Sequence, residues 1–263
     1  MTSRATPVPP LIAALPRDPR GYPIPAITPR DPEGHPTFAI TGTARTLICA
    51  VERRCSICGT PMPPGPVYRV IAAAETEALA AAQASGRPAT NKAPSPEPPG
   101  HRECMLFAAF TCPFLARPNA RRGQDAHVFG ESLTRGTARG SSTDTESGDQ
   151  IGGAVAGFAD FEFRYSPGEQ VAFLFTGLTE LRPHHMGADQ IPELTAVLEA
   201  LGSTPWPTDG EACPPYLLDD EAAAEAHARG ILEAAMARQQ GVRRGLPADA
   251  VRFVGLTQCG SWS

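Results

Sequence analysis

Apolar residues fall along this chain in short, separated patterns, and the clearest is an alternation. Phe161, Phe163 and Tyr165 alternate with Glu162 and Arg164, Ser166-Pro167-Gly168-Glu169 supplies a turn, and apolar sequence resumes from Val171 to Thr176. That sequence predicts a β-hairpin. Val67-Tyr68-Arg69-Val70-Ile71 alternates behind the turn-type stretch Pro63-Pro64-Gly65-Pro66 and predicts another strand, the arm of a hairpin. Val251 to Leu256 is a short candidate strand near the end. Between Phe38 and Val51 β-branched and aromatic residues accumulate, but periodicity does not separate a strand there from a short helix over Leu47 to Arg54.

Helical spacing marks four other segments. Ala72 to Ser85 is alanine-rich, with Glu75 and Glu77 early and Gly86 to end it. In His101 to Leu115, Met105, Ala108, Ala109 and Cys112 recur at helical intervals, and Pro113 marks the end. Asp189 caps a segment whose Ile191, Leu194, Val197, Leu198 and Leu201 form one stripe ahead of Gly202. Asp220 to Gln240 carries Ile231, Leu232, Ala235 and Met236 on its inward side.

Proline and glycine divide these elements. Ten prolines between residues 7 and 36 remove backbone donors and fix φ, so residues 1–37 read as an extended arm. Its Pro16 to Pro25 stretch mixes charge with an aromatic residue, as a segment packed over the following domain would and a disordered tail need not. Arg117 to Asp149 is polar and glycine-bearing, and it ends in Gly140-Ser141-Ser142-Thr143-Asp144-Thr145-Glu146-Ser147-Gly148. The resulting division is an arm at 1–37, a domain at 38–118, a linker at 119–150 and an α+β region at 151–263. No internal repeat of useful length is evident.

Composition narrows the partners. At 263 residues with 41% hydrophobic positions, Pro 29 and Gly 25, the chain suits one elaborated domain or two small ones. A net charge of -5 argues against coating nucleic acid by bulk charge and leaves only a local basic patch for it. The opening lacks a signal-peptide core and no 18-residue apolar run occurs, so a cytoplasmic protein without membrane contact is expected. Seven cysteines, an odd number in a long chain, fit thiols in a reducing compartment better than disulfides.

The chemistry concentrates in Cys55-Ser56-Ile57-Cys58-Gly59 and His101-Arg102-Glu103-Cys104. A C-x₂-C turn brings two thiolates to one ion, and a His and a Cys in the first turn of a helix complete a tetrahedron for Zn²⁺. Gly59 supplies the positive φ such a turn needs, and the helix N-terminus favours Cys104 as thiolate. Knuckle, hairpin, then helix start is the order of a treble clef. With Cys55, Cys58, His101 and Cys104 as ligands the coordination shell is full, which makes the metal structural. The expected architecture is α+β: a treble-clef-like zinc-binding domain plus a smaller β-hairpin and helical region. An H-x-E and a C-x₂-C also belong to zinc deaminases, but here their order is reversed, Arg54 stands where that motif has proline, and Cys104 crowds the water position.

The chain resembles a group of uncharacterised bacterial and phage-encoded proteins. The shared features are the opening at Pro16 to Pro25, the C-x₂-C-G at Cys55 to Gly59, the H-x₂-C at His101 to Cys104, and Cys112-Pro113-Phe114-Leu115. The similarity spans about residues 16 to 118, implies the zinc site, and brings no activity with it.

Other candidates have bland readings. His184-His185 reads as a solvated loop, since adjacent histidines there point apart and lack a third ligand at useful spacing. Cys112 lies roughly 80° round the helix from Cys104 and faces the core. Cys49, Cys213 and Cys259 read as packing thiols, Cys259 near an oxidisable end. Arg117, Arg121 and Arg122 form a basic stretch after the zinc helix that reads first as solvated loop and second as a phosphate contact. No phosphate-loop, dinucleotide, serine-hydrolase or H-E-x-x-H motif occurs. The expected function is a zinc-containing binding, adaptor or regulatory protein acting on an unknown protein or small molecule. The alternative is an enzyme of a bacterial biosynthetic or modifying pathway with its active site between the two halves, and the third is nucleic-acid binding.

Overall fold

A computed structural model describes residues 8–38, 40–87, 95, 97–112, 151–165, 171–185, 196, 220–239 and 251–253. Its elements in chain order are α1 (Pro10–Ala13), α2 (Thr43–Val51), β1 (Val67–Ile71), α3 (Ala73–Ala84), α4 (Arg102–Thr111), β2 (Ile151–Tyr165), β3 (Ala172–His185), α5 (Glu221–Gln239) and β4 (Val251–Phe253). The architecture is α+β, built on an antiparallel sheet.

The hairpin expected around Phe161 to Thr176 is the sheet's long centre. β2 and β3 pair antiparallel from Ile151↔His185 to Arg164↔Ala172, with shifts of register between Ile151 and Gly153 and between Gly157 and Phe158. β1 takes the other edge of β2 at Val67↔Phe158 through Ile71↔Ala154, and β4 takes the same edge further on, at Phe163 to Tyr165. The sheet therefore crosses the division expected at 119–150. Ser95 bridges to Phe173 on β3 and Gly100 bridges to Tyr68 on β1, so the run before α4 ties together the two outer edges of the sheet. Enclosed within are Phe158, Phe161, Phe163, Phe173 and Phe175, with Phe158 and Phe175 centroids 5.1 Å apart. Each such pair adds about 1 kcal/mol beyond burial of its area. Arg69, on β1, reaches this interior, donates to Glu75 at 2.8 Å and lies 5.0 Å over the Phe175 ring.

Several boundaries differ from the sequence pattern. The undecided Phe38 to Val51 stretch contains α2, which is buried over six consecutive residues, Arg45 to Ala50. α4 stops at Thr111, short of Leu115, because Cys112 precedes a proline and takes extended angles, φ -69 and ψ 118. Cys112 is half-buried at that helix end, off the core face assigned to it. His184 and His185 are in β3, not in a solvated loop. His184 is 3% exposed and stacks edge-on against Phe110 of α4 at 6.1 Å. The bulge within β3 and its charged outer residues hide the alternation that would have extended the strand. The stretch Arg117 to Asp149, Cys213, Cys259 and the helix expected from Asp189, Ala196 apart, lie outside the described residues.

The proline-rich segment is folded against the body, with Leu11, Ile12, Leu15, Ile24 and Ala26 buried. It is also a repeat that the sequence reading missed. Pro-Arg-Asp-Pro-x-Gly-x-Pro occurs at residues 16–23 and again at 29–36. Each copy is a tight turn closed by one bridge, Arg17↔Pro23 and Arg30↔Pro36. In each the aspartate side chain accepts a backbone N–H, Asp18 from Tyr22 at 2.8 Å and Asp31 from His35 at 2.7 Å. Gly21 and Gly34 take φ of 85 and 86, the left-handed position that an Asp-Pro-x-Gly turn demands.

α5 packs on α2, opened by Asp220, whose side chain accepts the Ala223 N–H at 2.9 Å. Its Glu221 carboxylate meets Arg45 Nε at 2.9 Å and the Arg30 N–H at 3.1 Å. Arg45 is 1% exposed, and Glu221 brings a carboxylate to its guanidinium. Glu221→Ala is expected to lower stability by about 2–3 kcal/mol, since a buried guanidinium loses a carboxylate partner. Glu225→Ala, on the exposed side of α5, stays within about 0.5 kcal/mol. Thermal melts that fail to separate the two variants would remove Arg45 from the account.

Candidate metal centre

The two ends of this centre are built by different local rules. Past α2 the chain turns back as a knuckle. Arg53 takes φ 50, Arg54 bridges to Pro61, Cys55 N–H bonds Thr60 O at 2.9 Å, and Gly59 N–H bonds Cys55 O at 2.8 Å with φ 75. These bonds hold Cys55 and Cys58 facing one point. The opposite end is the start of α4. His101 is its N-cap residue, with φ -65 and ψ 153, and Cys104 lies in its first turn. The Gly100–Tyr68 bridge and the Ser56 N–H bond to Pro99 O at 3.0 Å set that helix start against the knuckle.

Sγ of Cys55, Cys58 and Cys104 and a ring nitrogen of His101 all lie within 4.8 Å of one another. The three sulfurs are buried, and His101 is half-buried. Cys58 Sγ is 3.4 Å from His101 Nδ1. A tetrahedral ion with bonds of about 2.3 Å to sulfur and about 2.05 Å to nitrogen would put those atoms about 3.6 Å apart. The separation suits one ion held by both.

Surrounding groups orient the donors. The Pro61 carbonyl, 3.1 Å from His101 Nε2, can only accept, so Nε2 carries a proton and Nδ1 is the nitrogen that faces the sulfurs and would ligate an ion. Thr60 Oγ1 is 3.1 Å from Cys58 Sγ, and the His101 N–H points to Cys55 Sγ at 3.4 Å. Such donors soften thiolate charge, as does the positive end of α4. Sequence reasoning identified neither the Pro61 carbonyl nor the Thr60 hydroxyl. Thr60 lies one residue past the C-x₂-C-G and carried no other signal.

Protonation follows the same contacts. Burial raises the Cys55 thiol, but hydrogen bonds from Cys104, Cys58 and His101 bring it well below its ordinary 9.0. Cys104 is pushed well above 9.0 by its bonds to Cys55 and Cys58 and by burial. Burial lowers His101, yet the Cys55 and Cys58 sulfurs outweigh it and lift the imidazole to about 11. A cation at the centre would therefore displace the imidazolium proton and the thiol protons.

Gly100 is the tightest point. A Cβ there would lie 2.5 Å from Met105 Cε and 2.9 Å from Cys55 Sγ. The methionine tip can swing away, while a sulfur fixed by an ion cannot. Gly100→Ala is expected to weaken metal affinity about tenfold in competition with a chelating dye. Unchanged affinity would mean that Cys55 is not held where its neighbours place it.

A second set, Asp31, Glu33 and His35, also lies within 4.8 Å at the tip of the second repeat, but it is largely exposed and Asp31 already pairs with His35 at 3.3 Å. Among the described residues no helix is long and apolar enough to cross a membrane. No family model, curated protein or solved structure matches this chain.

Proposed function

We propose that Cys55, Cys58, His101 and Cys104 hold one structural Zn²⁺ and that the chain acts as a binding or adaptor protein around it. The observation that carries this reading is the convergence of four donor atoms within 4.8 Å, with His101 Nε2 committed to Pro61. Three sulfurs and one imidazole favour Zn²⁺ over hard cations, and four protein donors leave no position for water or substrate. A knuckle followed, after β1 and α3, by a helix start that carries the second ligand pair supports a treble-clef-like arrangement, with β1 paired to β2 in place of a local hairpin, and the resemblance over residues 16 to 118 shares these four positions. Cys49, Cys55, Cys58, Cys104 and Cys112 form no disulfide, which suits a reducing cytoplasmic setting.

Elemental analysis of the protein purified from zinc-supplemented cells tests the reading. One zinc per chain is expected, with Cys58→Ser binding substoichiometrically. A wild-type chain that holds no transition metal would overturn it.

A further inference from the structure

The two Pro-Arg-Asp-Pro-x-Gly-x-Pro turns share a hydrogen-bond frame but not a set of neighbours. In the first, Asp18 N–H bonds Tyr22 O and Ile24 N–H bonds Pro16 O. In the second, Asp31 N–H bonds His35 O and Thr37 N–H bonds Pro29 O. In antiparallel pairing, a residue flanked by such bonds aims its own N–H outward. Arg17 and Arg30 are those residues. The Arg30 N–H is taken by Oε2 of Glu221 at 3.1 Å, the same oxygen that receives Arg45 Nε. The Arg17 N–H has no partner among the described residues, and Arg17 is exposed.

The tips differ in a consistent direction. Arg20 stands where the second turn has Glu33, and Tyr22 where it has His35. The Arg20 side chain is 67% exposed, and its guanidinium lies 5.4 Å from the Tyr22 ring and 5.6 Å from the Phe38 ring. Tyr22, at 39% exposure, is one of two large apolar side chains left open among the described residues. Arg20 Nε is held by Asp18 Oδ2 at 2.7 Å and the Arg17 guanidinium donates to Gly21 O at 2.7 Å, so both are positioned at the tip. With Arg17 and Arg20 against Asp18 the first turn carries one net positive charge, whereas Arg30 against Asp31 and Glu33 leaves the second with one net negative charge. The first turn thus offers an outward N–H, a net positive charge and an aromatic face on a chain whose net charge is -5. Such a local reversal of sign favours an acidic partner.

We infer that the first turn docks a carboxylate at the start of an acidic helix in another protein, in the way the second turn receives Glu221 within this chain. The partner's carboxylate accepts the Arg17 N–H and faces the guanidinium groups of Arg17 and Arg20, and its first helical turn lies against Tyr22. The inference does not depend on which metal the centre holds. Phosphate would answer the arginines equally, but the carboxylate precedent in the sister turn favours protein over nucleic acid.

The test is a titration of the intact, zinc-replete protein followed by amide NMR. The probe is an N-acetylated, C-amidated peptide with the sequence of residues 219–232. The control peptide carries Asn and Gln in place of its Asp and Glu residues, and a single-stranded oligonucleotide forms a third arm. Saturable shifts at the Arg17 and Tyr22 amides with the acidic peptide, absent with the control, are expected. Arg20→Glu, which copies the charge of the second turn, should weaken binding about tenfold, and Arg17→Ala less. Shifts confined to Arg30 and α2 would show exchange with α5 instead and overturn the inference. The absence of saturable shifts, or a response of the Arg17 amide to the oligonucleotide and not to the peptide, would also overturn it.

Discussion

With Zn²⁺ held as proposed, a strong chelator is expected to unfold the knuckle, the start of α4 and the proline-rich segment together, and stoichiometric Zn²⁺ is expected to restore them. A structural zinc site contributes roughly 10–16 kcal/mol of apparent binding energy near neutral pH, against roughly 5–15 kcal/mol for the stability of a whole domain. The loss would spread because the neighbours are bonded through the knuckle. Ala26 N–H bonds Ile57 O at 2.8 Å, Ile27 N–H bonds Ser56 O at 3.3 Å, and Ser56 N–H bonds Pro99 O. Trypsin should then cut after Arg17, Arg20 and Arg30 in the stripped protein and spare those bonds in the loaded one. Circular dichroism, melting temperature and cleavage pattern that all survive chelation would remove the structural role of the metal.

The second large effect lies in the sheet. Gly153 sits at a register shift of β2 with φ 140, and a Cβ there would come within 2.0 Å of the Ile71 carbonyl oxygen. Backbone cannot swing aside as a side chain can, so Gly153→Ala must separate β1 from β2 or distort both. The expected loss is about 4 kcal/mol, or of order 10 °C in melting temperature for a chain of this size. Gly21→Ala is the control. Its φ of 85 is also left-handed, but no atom lies within 4 Å of the added carbon, so only backbone strain of about 1 kcal/mol is expected. Equal losses would mean that the β1–β2 contact is looser than described.

Local chemistry was readable and long-range pairing was not. The spacing of Cys55 with Cys58 and of His101 with Cys104 marked donors that the fold brings within 4.8 Å, because each pair is fixed by a turn or a helix start. The hairpin was visible in Phe161, Phe163 and Tyr165 for a similar reason, since alternation and turn residues are short-range signals. By contrast, nothing near Ser95 or Gly100 announces that they close opposite edges of one sheet. The repeated turn escaped because it was read as a run of prolines, whereas its information lies in the fixed Asp and Gly positions. His184 looked solvated beside Pro183 and His185, and only the length of β3 and the proximity of Phe110 bury it.

The pairing of Arg45 with Glu221 spans 176 residues. Ribosomes add roughly 5–20 residues each second, so Arg45 joins the chain roughly 9–35 s before Glu221 does. Before Glu221 is added, Cys55, Cys58, His101 and Cys104 have all been made while Arg45 still lacks that carboxylate. The second proline-rich turn therefore gains its Arg30 contact only after α5 has been made, and a chain truncated before α5 carries the four clustered donors on a body whose Arg45 lacks the Glu221 carboxylate.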